Sequence, residues 1–232
     1  MTLCILLSAA GAAALAFYLA EKLRRYTLRA VLRKATVSVF FVAVALCGAF
    51  VSGGGILAPF VIGGLVMGLL GDVWLDLKYV FPEEDVTFTY AGFISFAVGH
   101  VLFITGMALQ YAPPALWLIA PLAAALVLSL GNAAMEKPMK LNYGRYRAIV
   151  IVYGALLFAT TLTALSLSIR CGWSEPALTL LFVGGVLFAA SDLVLSGTYF
   201  GEGHERPIDL LLNYLTYYPA QFVIAWALLF LK

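Results

Sequence analysis

Residues 54–76 read GGILAPFVIGGLVMGLLGDVWLD. The run is apolar or small as far as Gly71, then meets Asp72 and, one turn on, Asp76. About 20 predominantly apolar residues suffice to cross a bilayer. In lipid the backbone must satisfy its own hydrogen bonds, so such a run is a helix. Ser52-Gly53-Gly54-Gly55 breaks it from an apolar run at 35–52. Working outward, further runs lie at 2–20, 89–111, 114–131, 145–169, 176–199 and 210–231, with Pro113-Pro114 separating the fourth span from the fifth. The expected fold is all-α: a polytopic transmembrane bundle of about eight spans in one integral membrane domain, 1–232. Both breaks are short, so seven and nine spans are the alternatives.

Composition agrees. Of 232 residues 63% are hydrophobic and 11% charged, with mean hydropathy +1.00. A soluble domain carries about 25% charged residues, so this chain lacks the polar surface to coat a water-soluble globule. A net charge of +2 is too small and too scattered for a nucleic-acid partner. Cys4, Cys47 and Cys171 are far apart in sequence and have no metal-ligand spacing, which excludes a disulfide framework. The first run lacks a basic stretch before it, so it reads as a retained helix and not as a cleaved signal.

With eight spans, the connections after spans one, three, five and seven share one side. They hold Lys22, Arg24, Arg25, Arg29, Arg33, Lys34, Lys78, Lys137, Lys140, Arg145, Arg147 and Arg206, which is 12 of the 14 basic residues. Only Arg170 and Lys232 fall on the other side. The positive-inside rule puts the basic side in the cytoplasm and both termini outside. The membrane would be the inner membrane of a bacterium or the endoplasmic reticulum of a eukaryote.

Most of the 12 acids sit in loops or at span ends. Asp72, Asp76 and Asp192 do not. His100 lies mid-way along span four and Gln221 mid-way along span eight. Ionisable groups at such depth are costly and point to function. A structural hydrogen bond between helices is the competing explanation, the stronger one for His100, and for Asp76 it weighs about equally, since Asp76 stands near the membrane edge. With only His100 and His204 present, a bis-histidine haem inside the membrane is excluded and a zinc site lacks ligands. Spans three and seven run in the same direction. At about 1.5 Å per residue, Asp72 and Asp192 fall at similar depth below the cytoplasmic surface, where both can face one cavity.

A shift of 120 residues pairs Gly64 with Gly184, Asp72 with Asp192 and Leu75 with Leu195. Asp76 then meets Ser196, so each aspartate has a polar neighbour at i+4 on its own helix face. A shift of 121 pairs Phe93-Ile94-Ser95-Phe96 with Tyr214-Leu215-Thr216-Tyr217, and Gly99-His100 with Ala220-Gln221. The rare polar residues align, which implies two parallel four-helix repeats, 1–112 and 113–232. His100 and Gln221 would flank a central site, with Ser191, Tyr214 and Tyr217 as further hydrogen-bonding candidates.

Four segments in order carry a resemblance. They are Gly71-Asp72-Val73-Trp74-Leu75, Gly92-Phe93-Ile94-Ser95-Phe96 with Gly99-His100, Gly185-Val186-Leu187-Phe188 with Ser191-Asp192, and Tyr217-Tyr218-Pro219-Ala220-Gln221. The set resembles the lysoplasmalogenase-like (YhhN) membrane proteins over roughly residues 30 to 230. The resemblance implies about eight helices and hydrolysis of the vinyl-ether bond of lysoplasmalogens, giving a fatty aldehyde and a glycerophospho-base. It places the catalytic acids at Asp72 and Asp192. One departure is Lys34-Ala35, where the family tends to show Lys-Pro; another is the acidic Glu83-Glu84-Asp85 connection.

The chemistry fits two carboxyl groups. Protonation of the alkene carbon gives an oxocarbenium ion, water attacks it, and the hemiacetal collapses to aldehyde and alcohol. One protonated acid and one carboxylate serve these steps, and a close buried pair can hold one proton between them. No metal or cofactor is needed. The partners are a lysophospholipid substrate and membrane lipid, with Arg33, Lys34, Lys137 and Lys140 as phosphate-attracting candidates unless they only obey the positive-inside rule. Paired intramembrane acids on glycine-rich helices also describe a proton-coupled transporter, and a scaffold would tolerate loss of both aspartates.

Overall fold

Three consecutive glycines, Gly53, Gly54 and Gly55, take left-handed backbone angles of +84°, +84° and +67°. They hold the turn between the second and third helices and delay the start of the third to Leu57, three residues beyond the expected boundary. The computed structural model describes residues 1–22, 27–201 and 206–231. Arg24, Arg25, His204 and Lys232, which figure in the sequence reading, lie outside the described residues.

Eight helices are present among the described residues: α1 (Thr2–Lys22), α2 (Leu28–Ser52), α3 (Leu57–Val80), α4 (Asp85–Tyr111), α5 (Leu116–Ala134), α6 (Arg147–Arg170), α7 (Pro176–Phe200) and α8 (Pro207–Ala227). Seven are long and apolar enough to cross a membrane. The remaining one, α8, has 21 residues, about 31 Å of helix, but its apolar run is interrupted. Asp209, Asn213, Tyr214, Tyr217, Tyr218 and Gln221 interrupt it, and all six are buried. The polar groups that lower its hydropathy face the protein interior, not lipid.

The seam between α3 and α4 explains how the site is built. Gly64 and Gly71 on α3 face Gly92, Gly99 and Gly106 on α4, each spaced by seven residues. A Cβ at Gly99 would stand 2.9 Å from the Gly64 carbonyl oxygen, and one at Gly71 would stand 2.5 Å from the Phe96 ring. Small residues at this spacing let the two backbones close up. A similar approach joins α7 to α8, where a Cβ at Gly184 would meet Ile224 at 2.5 Å. Sequential helices pack on one another within α1–α4 and within α5–α8; α4 also packs on α6, and α2 on α8. α5 packs principally on α6.

The start of α4, the α5–α6 connection and the end of α7 gather at one end. The Asn142 amide donates to the Phe200 carbonyl at 2.7 Å, and the Tyr90 hydroxyl donates to the Arg145 carbonyl at 2.8 Å. One expectation is corrected here. Arg29, Arg33 and Lys34 are not loop residues, because Thr27 caps α2 a full turn and more before the expected start, its hydroxyl accepting from the Ala30 amide. Lys22, Lys78 and Arg147 likewise sit on helices. Lys22 and Lys34 are each only 4% exposed, so neither is placed to attract phosphate from solution.

Candidate active site

Asp72 and Asp76 stand one turn apart on α3 and share its inward face. Both are buried. The opposing stretch of α2 carries Lys34 and Ser38, also at i+4. The Lys34 ammonium lies 3.3 Å from Asp72 Oδ1 and 3.3 Å from Asp76 Oδ1, bridging the two carboxylates. Ser38 donates to Asp72 Oδ2 at 2.6 Å, and Tyr217 from α8 donates to the same oxygen at 2.9 Å. Asp72 therefore has one cation and two hydroxyls around it, the environment of an ionised carboxylate.

Asp76 is held apart from the cavity by a second layer. Lys22, the last residue of α1, donates to Asp76 Oδ1 at 2.9 Å. The Tyr18 hydroxyl lies 3.0 Å from Asp76 Oδ2 and 2.7 Å from the Tyr214 hydroxyl. Two lysines and two aspartates thus form a buried, charge-balanced quartet. An unpaired buried charge is strongly unfavourable, so each member depends on the others.

Asp192 stands in different company. Tyr153 from α6 donates to its Oδ2. Among the described residues no cation lies within 4.0 Å of Asp192. A carboxylate here would be an uncompensated charge beside aromatic rings, and the neutral acid is the form these surroundings accommodate.

One cavity of about 90 Å³ is walled by Asp72, Asp192, Ser191, Tyr214 and Tyr217, with Lys34, Tyr153 and Asn213 beside them. Phe93 and Phe96 are among the apolar residues of the wall. The Phe96 ring stands at 90° to Tyr217, with centroids 6.1 Å apart, and 6.4 Å from Tyr153, so one phenyl ring lies between the tyrosines that hold the two acids. Asn213 clasps α8 to α7, its amide donating to the Ser191 carbonyl at 3.0 Å and hydroxyl at 2.9 Å.

The remaining sequence candidates lie behind this wall. His100 is buried with Nδ1 3.1 Å from the Thr160 hydroxyl, and its ring packs against Phe188 and Tyr153 at 5.1 and 5.8 Å. It touches the site through Tyr153. Gln221 is buried beside Gly68, its Oε1 without a hydrogen-bond partner among the described residues. Among the described residues no three His, Cys, Asp or Glu side chains converge as metal ligands. Lys22, Tyr18, Ser38, Tyr153 and Asn213 were not singled out for the site in the sequence, and Lys34 was read there as a loop cation. For Lys34 and Ser38 a signal existed: their i+4 spacing on α2 matches that of Asp72 and Asp76 on α3.

Comparison with curated proteins and with solved structures returned no match. A model of the YhhN family, which includes lysoplasmalogenases, matches residues 28–228. The matched stretch takes in every helix except α1, and with it both aspartates and the cavity between them; the chain belongs to the YhhN family.

Proposed function

We propose that the protein is a membrane hydrolase that cleaves the vinyl-ether bond of lysoplasmalogens to a fatty aldehyde and a glycerophospho-base, with Asp192 as the acid and Asp72 as the carboxylate. The observation that carries this reading is the unequal pairing of two aspartates on one cavity: Lys34 lies 3.3 Å from Asp72, and among the described residues no cation pairs with Asp192.

Asp192 gives its proton to the alkene carbon remote from oxygen, and the electron pair of the double bond forms the new C–H bond. The positive charge then rests on the adjacent carbon and the ether oxygen. Asp72, already ionised, stabilises that charge electrostatically and takes a proton from the attacking water. The hemiacetal so formed loses the glycerol oxygen as an alcohol and leaves the aldehyde. In this collapse Asp72 gives the proton it took from water to the leaving glycerol oxygen, and the Asp192 carboxylate takes the hemiacetal hydroxyl proton, so both groups return to their starting forms. Asp76 and Lys22 act through Lys34 by fixing its ammonium beside Asp72.

The basic end of the bundle is placed in the cytoplasm on the charge asymmetry of the chain. The test is mass spectrometry of purified protein incubated with three matched lysophospholipids: vinyl ether, saturated alkyl ether and ester. Cleavage of the vinyl ether alone is expected, since only that bond gives an oxocarbenium ion on carbon protonation. Cleavage of the ester, or of none of the three with substrate-dependent flux in liposomes, would refute the reading and favour an esterase or a carrier respectively.

A further inference from the structure

The cavity wall divides by exposure. The lining residues on α2, α3, α4 and α8 are buried, whereas Asn132 on α5, Phe158 on α6 and Asp192 and Ser196 on α7 are part-exposed and Leu193 is 47% exposed. Ala189, Asp192, Leu193 and Ser196 fall on one stripe of α7 at helical spacing. Beside it, α5 packs principally on α6 and leaves the flank of α7 uncovered. The first half of the chain differs. There α1 lays Tyr18 and Lys22 onto Asp76 and closes the corresponding side.

We propose that the gap rimmed by Asn132, Phe158 and Leu193 is a lateral entrance through which a single-chain lysophospholipid enters the cavity from the membrane leaflet at the basic end of the bundle. This rests on the hydrolase reading and adds the route and the orientation of the substrate. Depth supports the assignment. Asn132 lies two residues from the basic end of α5, Leu193 seven from that of α7 and Phe158 eleven from that of α6. At about 1.5 Å per residue these positions span roughly 3 to 16 Å below the helix ends, the outer half of a hydrocarbon core about 30 Å thick. A lysolipid resting in that leaflet holds its glycerol at the outer edge of this zone and runs its chain down through it. Asp192, about 12 Å from the basic end of α7, lies deeper than the sn-1 ether bond of the resting lipid, which reaches the acid by moving inward through the gap without leaving the bilayer. The exposed apolar rim meets the chain, and Asn132 and Ser196 meet the glycerol oxygens.

The experiment uses the full-length protein in lipid nanodiscs and a saturated alkyl-ether lysophosphatidylethanolamine with a diazirine near the start of its chain. After irradiation, adducts are mapped by peptide sequencing. Adducts on the peptides carrying Phe158 and Leu193 are expected. Leu193→Trp, at a position 47% exposed on the rim, should lower labelling roughly tenfold, equivalent to about 1.4 kcal/mol of blocked binding. Val183→Trp, exposed on the same helix ten residues away, should leave it unchanged. If Leu193→Trp fails to fold, Leu193→Cys alkylated after folding with a bulky maleimide supplies the same block. Adducts confined to α1 or α2, labelling indifferent to the block at Leu193, or equal labelling by a two-chain probe would each overturn the entrance. The probe is not a vinyl ether, so binding is read without turnover. Rim labelling with no vinyl-ether cleavage would overturn the hydrolase and leave the entrance standing; cleavage with adducts elsewhere would do the reverse.

Discussion

Replacing Lys34 by methionine removes one ammonium and keeps an unbranched apolar side chain one atom shorter. In the intact quartet Lys22 and Lys34 balance Asp72 and Asp76. After Lys34→Met one cation faces two carboxylates at a site where Asp72 is 2% and Asp76 3% exposed. Removing one partner of a buried ion pair costs about 3–5 kcal/mol, because the other charge is left uncompensated. Asp72 is also stripped of the charge that keeps it ionised, and losing one preorganised electrostatic contact of this kind lowers turnover by about 10²–10³. Stability is read by reversible unfolding in mixed micelles with rising SDS, and turnover by aldehyde release. The double variant Lys34→Met/Asp72→Asn separates the two effects. It leaves the Lys22–Asp76 pair at 2.9 Å intact, so most of the lost stability should return while turnover stays low, since neither the carboxylate nor its ammonium remains at the cavity. Wild-type stability in Lys34→Met would refute the charge-balance argument. Full turnover in the double variant would remove Lys34 and Asp72 from the mechanism.

Asp192→Asn and Asp72→Asn should each reduce aldehyde release by about 10²–10⁴, the range for loss of a positioned acid or base, and Asp192→Asn should elute as folded monodisperse protein because Tyr153 keeps a hydrogen-bond acceptor; full activity in either variant removes that residue from the chemistry. Gly99→Ala places a methyl 2.9 Å from the Gly64 carbonyl oxygen and should destabilise the bundle by about 1–3 kcal/mol through overpacking, measured in the same SDS titration, with an unchanged midpoint counting against the close α3–α4 seam. The Cys4 and Cys47 sulfurs lie 3.0 Å apart across α1 and α2, so mild oxidation with copper phenanthroline should convert both thiols to one intramolecular disulfide, seen as loss of two alkylation sites and a mass loss of two hydrogens; unchanged alkylation would contradict the docking of α1.

The fold was legible in the sequence because the bilayer writes its demands plainly: long apolar runs, turns at Gly53–Gly55 and Pro113-Pro114, and rare acids that stand out against leucine. Asp72 and Asp192 could be matched for depth from span direction alone. Lys34 could not be read the same way. A lysine near the start of a span obeys the positive-inside rule whether it faces water or an aspartate, and only the earlier start of α2 at Leu28 carries it about 9 Å into the helix. Tyr18 and Lys22 were hidden for another reason. They belong to α1, and their partner Asp76 is 54 or more residues away, so no local spacing connects them. Tyr153 is one of 12 tyrosines, and packing alone accounts for most buried tyrosines; its role appears only when α6 is seen against α7. The difference between the two aspartates, one paired with a cation and one not, follows from these long-range contacts.

The most direct test of the account is hydrolysis of the vinyl-ether lysolipid in D₂O, with the aldehyde trapped by immediate reduction. Carbon protonation by Asp192, whose proton exchanges with solvent, predicts one deuterium at C2 of the released fatty chain, and none released above background by Asp192→Asn. Aldehyde bearing no deuterium at C2, or the same labelled yield from the Asp192→Asn protein, would contradict it.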